Sequence, residues 1–456
     1  MLADGAKMFA AIATLTAFGY GLTMLLARET PLDRFERLGI AYVLGTGAAA
    51  VLWTLLMPIY GIVSPLVLIS AIAWGIAGFA IGPVASGFSR TVAPVGSGVS
   101  RTRGPWAIAL TLLLVVELGV LTLASLQSGL GFDAVFNFEV KARIAFEHPT
   151  RGQIPLAFFS DESRVWSHPR YPLLVPFAEY WVYGWLGRID QFFVKIIFPL
   201  FYASLVCVMA GTIRRLRGNV AALAAVSAMG MLPAITVIPG AISGYAEIPL
   251  AAAIAAAVGC TLLALSAGYP QTFWLAGALS AVAAWTKVEG GILAVCLAAA
   301  ALRIAGRKAL PLLLMPLTIV VLWTLFQQMY GLPEKDFPSL SPHVAVANLD
   351  RVPTIVRGVA RELVTPGHWG LLWPAFAMLC ALALRARAWR DADLITAAVV
   401  VLPLCLYPVT YLFSGWEDVE GHVRTSFVRL LVPLVPMAIA FTAVQLWPVR
   451  QTAAKA

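Results

Sequence analysis

Apolar stretches of about fifteen to twenty-three residues, separated by short polar joints, recur along nearly the whole chain, and this recurrence narrows the possible folds more than any other feature. They fall at 8–26, 38–57, 60–82, 105–125, 191–211, 219–239, 246–267, 272–286, 288–302, 309–330, 369–385, 393–413 and 427–447. A helix of such length matches a hydrocarbon layer about 30 Å thick, and helices satisfy their own backbone hydrogen bonds there. The pattern therefore predicts an all-α polytopic membrane protein with about 13 transmembrane helices. With 60% hydrophobic and only 12% charged residues among 456, a string of soluble domains is excluded.

The net charge of +9 is not a nucleic-acid surface, because the basic residues come in short clusters between apolar runs. Arg28, Arg34 and Arg37 form one cluster, and Arg90, Arg101 and Arg103 the next. Then come Arg214, Arg215 and Arg217; Arg303, Arg307 and Lys308; Arg385, Arg387 and Arg390; and Arg450 with Lys455. Such clusters mark the cytoplasmic side of a membrane protein. An even number of crossings must separate consecutive clusters, so between Arg103 and Arg214 one of three candidates cannot cross. The segment at 172–187 carries Glu179 and several Trp and Tyr residues, which favours a partial or interfacial helix. The five cysteines (Cys207, Cys260, Cys296, Cys380, Cys405) lie inside apolar runs, where a small sulfur side chain packs without forming a disulfide frame. The first run lacks a cleavage signature and is expected to remain as a span. The Gly/Ser/Pro-rich stretch 84–104 reads as a cytoplasmic linker. It divides an N-terminal three-helix unit, 1–83, from a module at 105–447, with a cytoplasmic tail at 448–456.

This topology sends all five histidines and most carboxylates to the non-cytoplasmic side. In "GFDAVFNFEVKAR" (131–143), a helix would align Asp133, Asn137 and Lys141 on one stripe and pair Glu139 with Arg143 on another. Asp133 is either a helix N-cap or a free carboxylate. "HPRYP" offers His168 and Arg170 on a backbone that its prolines hold extended; Arg170 and Tyr171 could equally anchor the interface. Glu247 sits at the mouth of a span, and Lys287 with Glu289 interrupts an apolar stretch as a hairpin ion pair or as part of a cavity. "WEDVEGHVRTSFVRLLVP" adds His422 and Arg429, the latter either snorkelling or facing an anion. Five distant segments delivering ionisable groups to one face point to a shared polar cavity.

Taken together, "GFDAVFNFEVKA", "HPRYPLL", "GYAEIPLA", "TKVEG" and "TSFVRLLVPLVP" resemble the GT-C superfamily of polyprenyl-phosphate-sugar-dependent glycosyltransferases. The resemblance covers roughly 105–447 and is closest to bacterial relatives of the protein mannosyltransferase and aminoarabinose transferase families. It implies a GT-C-like fold whose outer first loop carries amphipathic helices. It also implies a bacterial inner-membrane protein with its active site on the periplasmic face. The donor would be a polyprenyl-phosphate-linked sugar and the acceptor a glycan, lipid or protein. By the same resemblance Asp133 is the catalytic base and Glu247 a second catalytic carboxylate. The phosphate and substrate contacts would come from Lys287, Arg429, His168 and Arg170, with Lys141, Glu289 and His422 as further candidates. Ala134 follows Asp133 where many relatives carry a second acidic residue; no cofactor is implied with certainty, and a divalent metal is left open. Three other readings stand beside this one: an O-antigen polymerase or ligase using Arg351, Arg357 and Arg361, a transporter of lipid-linked sugars, and a non-catalytic membrane scaffold.

Overall fold

The computed structural model describes residues 2–60, 104–387 and 389–447. The run at 60–82 beyond Tyr60, the linker up to Gly104 and the tail at 448–456 lie outside the described residues, so Arg90, Arg101, Arg103, Arg450 and Lys455 do too. Every regular element among the described residues is helical. The principal helices are α1 (Leu2–Ala27), α2 (Arg34–Tyr60), α3 (Pro105–Gln127), α4 (Val140–Glu147), α5 (Leu174–Leu186), α6 (Ile197–Arg217), α7 (Asn219–Gly230) and α8 (Glu247–Ser266). They continue with α9 (Thr272–Thr286), α10 (Val288–Ala305), α11 (Pro311–Met329), α12 (Val352–Leu363), α13 (Leu372–Ala386), α14 (Asp391–Thr410), α15 (Val419–Leu431) and α16 (Val435–Leu446).

Nine helical stretches among the described residues are long and apolar enough to cross a membrane. They make the chain an all-α polytopic membrane protein. Three more of the expected runs form shorter apolar helices, α7, α9 and α13, which at 1.5 Å per residue are about 18–23 Å long, less than the hydrocarbon thickness. The run 219–239 is not one helix, contrary to expectation. It stops at Gly230 because Pro233 and Pro239 interrupt it, and Leu232, ahead of Pro233, is extended (φ −83°, ψ 118°).

α8 is apolar all round, and 94% of its apolar stretch is buried inside the protein, against 6% for α3. A helix without a polar face belongs at the centre, and one of equal hydropathy with few neighbours belongs against lipid. α1 and α2 touch backbone to backbone. A Cβ on Gly19 would stand 1.8 Å from the carbonyl oxygen of Ala41, and one on Gly45 1.9 Å from that of Leu15, so only glycine permits the crossing. Leu15, Trp53 and Leu250 belong to one hydrophobic core, so the pair packs against the helices that follow. Asp33 pairs with Arg214, and Glu36 with Arg215. Arg217 Nε donates to the carbonyl of Val444 at 2.8 Å. Thus two of the basic clusters meet at one end of the bundle, and α8 leads away from it toward its own N-terminal Glu247.

The segment after α3 departs from the expected regular helix. Ala134–Glu139 is a π-helical turn, followed by α4. The wider turn splits the anticipated stripe: Asp133 stays partly open, while Asn137 and Lys141 are buried. Glu139, fully buried, accepts from Arg143 Nε at 2.9 Å, Tyr183 Oη at 2.9 Å and Gln191 Nε2 at 3.0 Å. It locks the turn to α5, which is short as expected but packed inside the protein rather than at a lipid interface. Nearby Glu179 is buried, and both its carboxylate oxygens lack a partner among the described residues; burial, then the charge of Glu139, pushes its carboxyl well above the usual range. Glu139→Gln turns an acceptor-only group into one that presents an NH2 to these donors. It is expected to lower stability by about 2 kcal/mol, read as an earlier denaturation midpoint in detergent; an unmoved midpoint would show that the hub carries no load.

Candidate functional site

The site is assembled where the loop after α3 meets the loop ahead of α8. Gly131 N–H donates to the carbonyl of Ser243 at 2.8 Å, holding Asp133 beside Tyr245. Gly244 allows this approach with φ +79°; a Cβ there would meet Leu130 Cδ2 at 2.6 Å and Ala134 Cβ at 3.1 Å. Gly244→Ala is expected to cost about 1–3 kcal/mol and to move Tyr245 away from Asp133. A detergent melting curve that coincides with wild type would contradict the close packing.

From there a chain of contacts runs through four elements. Arg429, on α15, pairs with Asp133 and donates from Nε to Glu247 Oε1 at 2.6 Å. Lys287, at the start of α10, donates to the same Glu247 oxygen at 3.1 Å and lies 3.1 Å from Glu289 Oε1. The Arg429 guanidinium stands over the Tyr245 ring at 4.9 Å. Glu247 is fully buried, while the Asp133 side chain is 21% exposed. These contacts bear on the alternatives weighed from sequence. Asp133 makes no side-chain cap hydrogen bond, Arg429 points at carboxylates rather than snorkelling, and the Lys287–Glu289 pair exists but also reaches Glu247. Two atoms of this cluster are buried without a partner among the described residues, Glu247 Oε2 and Arg429 Nη2. An unpaired guanidinium N–H at that depth is unfavourable and points toward a place for an acceptor.

The other candidates lie outside this chain of contacts. Lys141 is fully buried, and its ammonium donates to the carbonyls of Asn137 (2.6 Å), Ser167 (2.8 Å) and His168 (3.0 Å). Burial pushes it down to about 7, with Glu179 opposing. Its three donors are used to clip two loop segments together. His168 is not extended but left-handed, φ 47°, and stacks on Tyr171 with centroids 4.6 Å apart, its Nδ1 3.6 Å from Asp336. Burial pushes its imidazole below the ordinary value, and Asp336 opposes this. Arg170 donates from Nε to the carbonyl of Leu332 at 2.8 Å. His422 is 2.7 Å from Ser414 Oγ through Nδ1 and stacks on Trp416 at 4.6 Å.

Sequence reading missed Tyr245 and Asp336. Tyr245 had its place beside Glu247 as its only signal. Asp336 sits in an irregular loop, where it receives Trp416 Nε1 at 2.9 Å and faces His168. Among the described residues no group of three or more His, Cys, Asp or Glu side chains is placed to hold a metal ion; the cation between Asp133 and Glu247 is a guanidinium. No family model, curated protein or solved structure matches the chain.

Proposed function

We propose that the chain is a membrane glycosyltransferase of the GT-C type, moving a sugar from a polyprenyl-phosphate donor to a glycan, lipid or protein acceptor. The observation that carries this reading is the buried, unpartnered Nη2 of Arg429, set beside a partly open carboxylate. A phosphate oxygen is the acceptor such a guanidinium fits best. In the reaction, the acceptor hydroxyl oxygen attacks the anomeric carbon and its proton passes to Asp133. The bond from that carbon to the phosphate oxygen breaks with inversion, and the electron pair leaves with the polyprenyl phosphate. Arg429 and Lys287 meet the developing charge, and Glu247 holds both cations in place. In this reading all thirteen apolar runs enter the bilayer of a bacterial inner membrane, with the site on the periplasmic face. The test is transfer of radiolabelled sugar from a polyprenyl-phosphate donor in membranes, wild type against Asp133→Asn at equal protein level. Equal transfer by both would sink the assignment of Asp133.

A further inference from the structure

α12 has an apolar arc that the described residues leave largely open, although Leu363 on the same side packs in part against the core. At 100° per residue its sides separate cleanly. Ile355, 3% exposed, faces the neighbouring helix α15, and a Cβ on Gly358 would stand 2.7 Å from Val423 Cγ1. Away from α15, Val352, Val356, Ala360 and, just beyond the helix, Val364 fall within an arc of about 120°; the three valines are 38%, 58% and 62% exposed. Arg357 and Arg361, both exposed, follow immediately at about 140° and 180° on the same wheel. Glu362 does not neutralise them, because its Oε1 is 2.7 Å from His368 Nδ1 and accepts from Trp369 Nε1 at 2.8 Å; Asp350 is the exposed carboxylate near the start of the helix.

The place of α12 in the chain bears on its depth. It lies between the end of α11 at Met329, 74% exposed, and the start of α13, next to Leu371, 77% exposed. Both helices are apolar, and their ends mark a hydrocarbon boundary. A helix at that boundary with an open apolar arc and two arginines along one edge has the form of an interfacial helix, its valines in acyl chains and its cations at headgroup level. We infer that α12 lies flat in the membrane–water boundary at the end of the molecule holding Asp133, and that Arg357 and Arg361 bind the phosphates of anionic phospholipids. Arg357 and Arg361 are not among the contacts that join Asp133, Arg429, Glu247 and Lys287, so the fate of this surface and that of the proposed activity can be told apart.

The experiment uses the full chain, its five native cysteines replaced, in nanodiscs of phosphatidylcholine with or without phosphatidylglycerol. A nitroxide at Val356→Cys is expected to be open to oxygen and closed to an aqueous nickel chelate, and one at Arg361→Cys to be reached by the chelate. In the cysteine-replaced parent purified from mixed lipid, phosphatidylglycerol should co-purify in excess over its bulk share. That excess should fall about fivefold for each arginine removed in Arg357→Gln and Arg361→Gln. A label at Val356 that the nickel chelate reaches would overturn the inference. So would one immobilised and shielded from both reagents, which would mark a protein contact, or undiminished phosphatidylglycerol in the double variant. Because both arginines are exposed, the double variant should keep the parent melting point, which separates a lost lipid site from a lost fold.

Discussion

Asp133→Asn is expected to cut sugar transfer by about 10²- to 10⁴-fold, the usual contribution of a positioned general base, while the protein stays folded. Asparagine has nearly the same shape and can still accept from Arg429 through its amide oxygen. The charge balance favours survival of the fold. Asp133, Glu247 and Glu289 oppose Arg429 and Lys287 in one chain of contacts, so three carboxylates against two cations leave a net charge of −1. Removing the Asp133 charge brings the cluster to neutrality, and Arg429 keeps its 2.6 Å bond to Glu247. What is lost is the capacity to take a proton. The decisive comparison is transfer rate at matched folded protein: a large drop with an unchanged melting curve assigns chemistry to Asp133, and an unchanged rate removes it from the reaction. A drop accompanied by unfolding would instead mark Asp133 as a structural partner of Arg429.

Arg429→Met acts in the opposite direction on the same balance, taking the cluster to −2. Glu247, fully buried, would then depend on Lys287 alone, which also serves Glu289. Removing one partner of a buried pair leaves an uncompensated charge, and the expected loss is about 3–5 kcal/mol of stability. Transfer should fall as well, since the same side chain is proposed to face the donor phosphate. The two consequences separate in the double variant Arg429→Met with Glu247→Gln, in which the orphaned charge is gone. Its denaturation midpoint in detergent should return most of the way to wild type while transfer stays lost. Additive losses in the double variant would mean that Arg429 and Glu247 are not energetically coupled, against the geometry. Arg429→Lys is expected to rescue poorly, because a point-like ammonium does not span two carboxylates as a guanidinium does.

Much of the architecture was legible in advance because hydrophobic length is a local property. Among the described residues nine of the expected runs form long apolar helices, and Pro105–Gln127 through Val419–Leu446 fall close to their anticipated positions. The run at 219–239 misled for a reason also written locally, its two prolines, which hydropathy alone does not weigh. The Glu139–Arg143 pair was readable, since residues four apart on one helix meet wherever that helix goes. Lys141 was not: its position on the Asp133 stripe assumed a regular helix, and the π-helical turn rotated it inward onto three carbonyls.

The sequence by itself determined that this is a helical membrane protein, and that its ionisable residues gather in a few polar joints. Those properties follow from segment length and polarity, which the bilayer reads one segment at a time. Only the tertiary structure decided which charges meet. Arg429 reaches Asp133 across 296 residues and Glu247 across 182, and Lys287 reaches Glu247 across 40, while His422, two turns from Arg429 on the same helix, turns to Ser414 and Trp416. Apolar pattern specifies that a face is buried, not against what. The partners of a buried charge are fixed by where the packed fold brings α8, α10 and α15, and by the cost of leaving any such charge alone.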